Sequence, residues 1–284
     1  RAEAGNDVLN ESIVAGPGTV KNGGADGPQD VHVRAGLDIR QEGADDFIIA
    51  DTVLLEAGGR IGTIGPDGDL ANFDANHDVA DNPRAVDLRA NTVAAVSGLS
   101  GGSNRHIFLN EDAEGGALEI GAASDLIAAP PGNKTGVEVA EPSTGAVIVT
   151  TENGDLMVSG NVVARGGSAG SCNEGDVVLV TGTDEADAFD DDVVLNADVM
   201  AGGSLLAPAA GSGADAHIKA SGAILQDSSA VAVVADSLVL EAGRNIGQGA
   251  FNSDPKAGPG VALPSAIDMR VNTVAARSGE APSG

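Results

Sequence analysis

The chain has no tryptophan and no tyrosine, and five phenylalanines are the only aromatics in its 284 residues. A broad globular core normally draws on such side chains for volume. Ala, Val, Leu and Ile with 41 glycines can fill a thin, close-packed interior and little else. One cysteine, Cys172, excludes an internal disulfide, but a repeat array needs none, so the compartment stays open. No apolar run approaches the roughly 18 residues of a transmembrane helix. No signal-peptide pattern and no initiating Met are found either. Bases are scarce: 15 Lys and Arg against 42 Asp and Glu leave a formal charge of −27. That balance argues against nucleic acid and against membrane insertion or anionic membrane binding. It fits a surface bathed in salt or divalent cations, where screening limits self-repulsion.

What is present is repetition. His217–Gly247 restates His32–Gly62 at a constant offset of 185, since 217 − 32 and 247 − 62 agree. Ala50, Asp51, Leu55, Glu56, Ala57, Gly58, Ile61 and Gly62 return as Ala235, Asp236, Leu240, Glu241, Ala242, Gly243, Ile246 and Gly247. Upstream, Val8–Gly16 matches Val194–Gly202 at 186; downstream, Ala85–Gly98 matches Ala266–Gly279 at 181. The slips fall in stretches rich in Gly, Pro, Asp and Asn, as loops between strand blocks should. Val8–Gly98 therefore matches Val194–Gly279, and the chain holds about one and a half copies of a roughly 185-residue unit. Because it begins and ends partway through that unit, it reads as one continuous segment, 1–284, of a longer polypeptide.

Short alternating segments recur between turn residues. The clearest are Val31–Val33, Phe47–Glu56, Ala85–Ala90, Ile107–Asn110, Ala146–Thr151, Val177–Thr181, Ala230–Ala235 and Ser237–Glu241. In TVLLE and SLVLE, apolar side chains two apart share one face of a strand. No window sustains helical spacing for three turns. Twenty-eight Asp against 14 Glu suit a chain with more turns than helices. Strands this short must stack on neighbours, which predicts an all-β fold, an elongated right-handed parallel β-helix (β-solenoid). At roughly 20 to 25 residues per coil the rod has about a dozen coils and is on the order of 60 Å long. The alternative is an array of β-sandwich repeats, which needs evenly spaced Asn-Gly or Asp-Gly hairpins. Asp26-Gly27 and Asp67-Gly68 lie instead in loop-like stretches.

The phrases ADSLVLEAGRNIG, AIDMRVNTVAARSG, RHIFLNEDAEGGALEIG and NGDLMVSGNVVARGG resemble the repeat regions of filamentous-haemagglutinin-type large exoproteins. The resemblance covers nearly the whole chain and consists of alternating small aliphatics, Gly-Asp and Gly-Asn turns, and few aromatics, with no diagnostic functional motif. It implies a secreted, extracellular or cell-surface bacterial protein that acts as an adhesin, stalk, filament or sheath. Its implied partners are neighbouring repeats, further copies in a filament, and a glycan or protein of a host or cell surface. The family's amino-terminal secretion domain is not represented.

Motifs for chemistry are sparse. The densest acidic run, DEADAFDDD, offers Asp187, Asp190, Asp191 and Asp192 as calcium ligands, although its spacing fits no EF-hand. Asp74–Ala85 opens like such a loop, but Val79 and Ala85 stand where Gly and a bidentate Glu belong. A calcium-stabilised assembly would lose thermal stability on adding EGTA. A polysaccharide-processing enzyme on a β-helix needs converging carboxylates, usually with aromatic sugar platforms, and Tyr and Trp are absent. Neither a zinc-ligand pattern nor a nucleophile motif surrounds His32, His77, His106 or His217. Asn10 and Asn133 open glycosylation sequons at background frequency. The expectation is a structural protein with no catalytic residues and no cofactor, calcium being the one metal worth testing.

Overall fold

The computed structural model describes residues 2–4, 8–10, 13–14, 30–41, 46–62, 85–112, 114–126, 132–166, 175–182, 191–204, 210–227, 231–247 and 266–279. These residues are all-β and contain no helix, and almost every strand pair is parallel. The strands fall into nine successive rungs. The first holds β1 (Ala2–Ala4), β2 (Val8–Asn10) and β3 (Ile13–Val14). The second holds β4 (Asp30–Ala35), β5 (Ile39–Gln41) and the start of β6 (Ile48–Ala57). The end of β6, Ile61 and the start of β7 (Val86–Ser97) make the third. The fourth is the end of β7 with β8 (Ile107–Glu111) and β9 (Leu118–Ile120).

An antiparallel hairpin, β10 (Ala122–Asp125) and β11 (Gly132–Thr135), then leaves the stack. The fifth rung returns with β12 (Val137–Val139), β13 (Val147–Thr151) and β14 (Leu156–Val158). The sixth is β15 (Val162–Val163), β16 (Val177–Thr181) and β17 (Val193–Leu195). The seventh is β18 (Val199–Met200), β19 (Ala216–Ala220) and β20 (Ile224–Gln226). β21 (Val233–Ala242) with Ile246 forms the eighth, and β22 (Met269–Ser278) the ninth.

Register places these strands in three columns. The first stacks Ala2, Val33, Leu55, Ala95, Val137, Val162, Val199, Val233 and Met269. The second runs through Ile39, Ile61, Ile107, Val147, Val177, Ala216, Leu238 and Val274. The third carries Leu118, Leu156, Val193, Ile224 and Ile246. All but the outermost of these side chains belong to one apolar core or pack against it. The arrangement is consistent with a β-solenoid, and the parallel pairing removes the sandwich-array alternative. The two Asp-Gly pairs lie outside the described residues.

Alternation produces this core directly. In β6, Val53, Leu55 and Ala57 face the interior while Leu54 and Glu56 face out, and β21 repeats the pattern with Leu238, Leu240 and Ala242 inside. Coils are longer than composition suggested: partners stand from 22 residues apart (Val33 to Leu55) to 46 (Ile61 to Ile107). The Gly- and Asp-rich stretches between strands account for the difference. Nine rungs, eight steps of about 4.8 Å, give a stack about 40 Å long, shorter than the rod expected.

Asp and Asn at the corners tie the rungs together. Asp155 Oδ1 accepts the Asp192 N–H at 2.8 Å, and Asp192 Oδ1 accepts the Ala223 N–H at 2.6 Å. A second ladder runs from Asn161 to the Asp198 N–H and from Asp198 to the Ala232 N–H. A third runs from Asp176 to the Asp215 N–H and from Asp215 to the Ser237 N–H. Each carboxylate satisfies a backbone donor where the chain bends and the sheet ladder is interrupted. The acidic excess thus has a structural use at the corners. Glycine is required where corners stack closely: a Cβ on Gly136, whose φ is +86°, would sit 2.2 Å from the Asn161 carbonyl oxygen.

Candidate functional site

The hairpin β10–β11 lies on the outer side of β4, β6 and β7. Beneath it, Leu54 and Ala94 pack against Ala123, which explains why outward-facing aliphatics here are buried. Beside that patch sit three titratable side chains from three separate strands: His32 on β4, Glu56 on β6 and Asp125 on β10. Their ligating atoms lie within 4.8 Å of one another, and all three residues are buried.

The hydrogen bonds fix how this cluster works. The Leu126 N–H donates to His32 Nδ1 at 3.1 Å, so the ring proton resides on Nε2. Nε2 donates to Glu56 Oε2 at 2.9 Å. That hydrogen bond holds the Glu56 carboxyl below its usual value, against the opposing effect of burial. Lys134 Nζ, from β11, stands 3.8 Å from Glu56 Oε1, and Arg34 Nε stands 4.0 Å from Oε2. Asp125 Oδ1 lies 3.4 Å from His32 Nδ1. Both hairpin strands are therefore pinned to the stack through one imidazole and one carboxylate. His32, Glu56 and Asp125 have the chemistry to hold a divalent cation. With the Leu126 N–H on Nδ1 and the proton on Nε2, however, the ring keeps no lone pair for a metal. As folded, the cluster is a polar clamp.

Sequence reading placed metal chemistry elsewhere. Asp187 and Asp190 lie outside the described residues, as do Cys172 and His77. Asp191 is buried, and its Oδ1 accepts the Gly154 N–H at 2.8 Å. Asp192 belongs to the corner ladder. Both carboxylates thus serve backbone donors of neighbouring rungs. Two other acids converge: Asp87 Oδ1 and Glu152 Oε1 accept the Asn110 amide at 3.0 and 2.9 Å. Burial raises the Asp87 carboxyl above its usual value, and Gln41 bonds it from the opposite side. The amide of Asn110 fills the gap between the two carboxylates.

Of the other described histidines, His106 is buried and His217 half-buried. His106 stacks on Phe108 at a centroid distance of 5.6 Å and accepts the Ala146 N–H on Nδ1. Burial, with Arg60 nearby, pushes its pKa down to about 4. His217, the repeat equivalent of His32, lies 3.3 Å from Glu241, the equivalent of Glu56. Burial and Lys219 lower its pKa to about 4. Equivalence of His32 and His217 was legible in the sequence, but Asp125 has no repeat counterpart within the matched blocks, so nothing signalled the third member.

Compared with known proteins, the chain matches no family model, no curated protein and no solved structure. Among the described residues, no helix is long and apolar enough to cross a membrane.

Proposed function

We propose that the chain is a stretch of right-handed parallel β-helix serving as a stiff structural element of a large bacterial repeat protein. In this reading it is a stalk, fibre or sheath at the cell surface, which presents its loops and hairpins to a glycan or protein of another surface. The observation that supports it most is the unbroken column of nine stacked rungs, built from a duplicated sequence. Such a stack transmits load through axial backbone hydrogen bonds and a continuous aliphatic core. The resemblance of the repeat phrases to filamentous-haemagglutinin-type exoproteins points the same way. The test is immunogold electron microscopy of intact producing cells with antibody against this chain. Gold along surface fibres is the expected result; label confined to the cell interior, or on globular particles, overturns the reading.

A further inference from the structure

The hairpin β10–β11 is an insertion whose ends meet. The Gly136 N–H donates to the Gly121 carbonyl at 2.9 Å. On either side the coil stays bonded to β7, through the Gly121 N–H to the Val93 carbonyl and the Ala95 N–H to the Gly136 carbonyl. The coil therefore runs on beneath the hairpin, and the hairpin's position is set by what it touches on the stack. Its polar ties run through His32 and Glu56, from Asp125, Leu126 and Lys134. The imidazole of His32 has two bonding arrangements within reach. In the one present, Nδ1 accepts the Leu126 N–H at 3.1 Å and Nε2 donates to Glu56. A ring that takes a second proton is a donor at both nitrogens, so it can no longer accept the Leu126 N–H. Asp125 Oδ1 already stands 3.4 Å from Nδ1. A charge-assisted bond of about 2.8 Å needs an approach of only about 0.6 Å.

We propose that His32 is a proton-operated switch under the hairpin: a proton from solvent on Nδ1 displaces the Leu126 N–H, and the Asp125 carboxylate takes its place as the tie between hairpin and ring. The Leu126 amide is freed while the hairpin stays seated. Glu56 keeps its charge throughout, since the His32 hydrogen bond holds its carboxyl below the usual value. The protonated ring then lies between two carboxylates, one at each nitrogen. The cations nearby stand further off: Lys134 and Arg34 are 3.8 and 4.0 Å from Glu56, on its far side from no other base among the described residues of this cluster. Charge interactions weaken with distance, so the carboxylates at 2.9 and 3.4 Å from the ring dominate. Along β4, Asp30 and Arg34 share the face of His32. Glu3 of β1 is in register with Arg34, and β7 brings the uncharged Ala94 and Val96 level with Leu54 and Glu56. His106 supplies the contrast. Its Nδ1 likewise accepts a backbone N–H, from Ala146, but its charged neighbour is Arg60. Burial and that cation push its pKa down to about 4, and no carboxylate waits to receive a second proton.

The test uses the full chain in EDTA, taken from about pH 7.5 to about pH 5, the range in which an imidazole ordinarily gains its second proton. Side-chain ¹⁵N NMR reads the protonation of His32, and hydrogen exchange reads the amides, corrected for the pH dependence of an unstructured chain. His32 should pass from the Nε2–H tautomer to the doubly protonated ring. Over the same range the Leu126 amide should exchange at least about tenfold faster, while the amides that bond β10 to β11 keep their protection. Asp125→Ala should leave the hairpin protected at the higher pH and release all of it at the lower. His32→Gln, which accepts through its amide oxygen at either pH, should abolish the response of Leu126. A His32 ring that stays singly protonated, or a Leu126 amide still protected beside a doubly protonated ring, overturns the inference. So does joint loss of all β10 and β11 amides in the unsubstituted chain, which would mean that acid opens the hairpin. An Asp125→Ala chain that matches the parent at both pH values, or that loses the hairpin at both, shows that Asp125 takes no part in an exchange and overturns it too. A pH response of Leu126 that survives His32→Gln does the same.

Discussion

Leu240 and Val239 are adjacent in sequence but face opposite ways, and the account stands on that difference. Leu240 is 1% exposed and stacks in register between Ile218 and Ala276. Replacing it with Asp removes an apolar side chain from a thin core, at about 2–5 kcal/mol. It also buries a carboxylate with no partner, which costs several kcal/mol more unless the group protonates. Val239→Asp puts the same charge on the outer surface, where lost β propensity and packing amount to about 1 kcal/mol. Stability in a stacked array is largely a sum of neighbouring contacts, so the Leu240 variant should first lose the rungs around β19, β21 and β22. Urea denaturation followed by circular dichroism, with hydrogen exchange on both variants, reads this directly. Leu240→Asp should remove protection from β19–β22 and lower the midpoint sharply; Val239→Asp should leave both nearly unchanged. Equal losses in the two variants would refute the inward and outward assignment.

Other outcomes follow from individual side chains. Burial, with Asp215 beside it, raises the Asp176 carboxyl to about 7, so its stabilising contribution is complete below the ordinary carboxylate range and is lost as pH rises through 7. Asp176→Asn keeps the acceptor for the Asp215 N–H and should raise stability at pH 8, by at most roughly 4 kcal/mol, with little effect at pH 3.5. His106 and His217 have the opposite sign: their contribution is present above pH 6.5 and is lost as pH falls through about 4. His106→Phe should therefore lose less, or gain more, melting temperature than the unsubstituted chain between pH 7 and pH 4. His32→Phe removes the hydrogen bonds that pin the hairpin; exchange protection of β10 and β11 should fall while that of β13 and β16 stays. Asp192→Ala leaves the Ala223 N–H without its acceptor and should cost about 1–3 kcal/mol, read as a lowered urea midpoint.

The periodicity of two in TVLLE and SLVLE told which side chains are inside, because in a stacked strand the face decides burial and burial decides composition. The duplication likewise identified β4 with β19 and β6 with β21 before any coordinates. Coil length was not legible: strands of two residues such as β15 and β18 carry too few alternations to announce a rung, so rungs were placed too densely. That β4 stands in the first column and its repeat equivalent β19 in the second was hidden for the same reason, since it needs the rungs counted. The clamp was missed because Asp125 lies 93 residues from His32, in a segment whose hairpin has no counterpart in the matched blocks. Acidity made Asp187, Asp190, Asp191 and Asp192 calcium candidates; that Asp191 and Asp192 also accept corner amides was not legible, because it depends on the neighbouring rungs and leaves no local signal.

The central claim is parallel stacking in a fixed register, and amide-contact NMR on the isotope-labelled full chain tests it most directly. Contacts between β13 and β16 should keep a constant difference in residue number: Ile148 with Val178, Val149 with Leu179, Thr150 with Val180. The next rung should add Leu179 with Ile218 and Val180 with Lys219. Contacts with a constant sum instead, such as Ile148 with Val180 and Thr150 with Val178, would mean antiparallel pairing and would contradict the account.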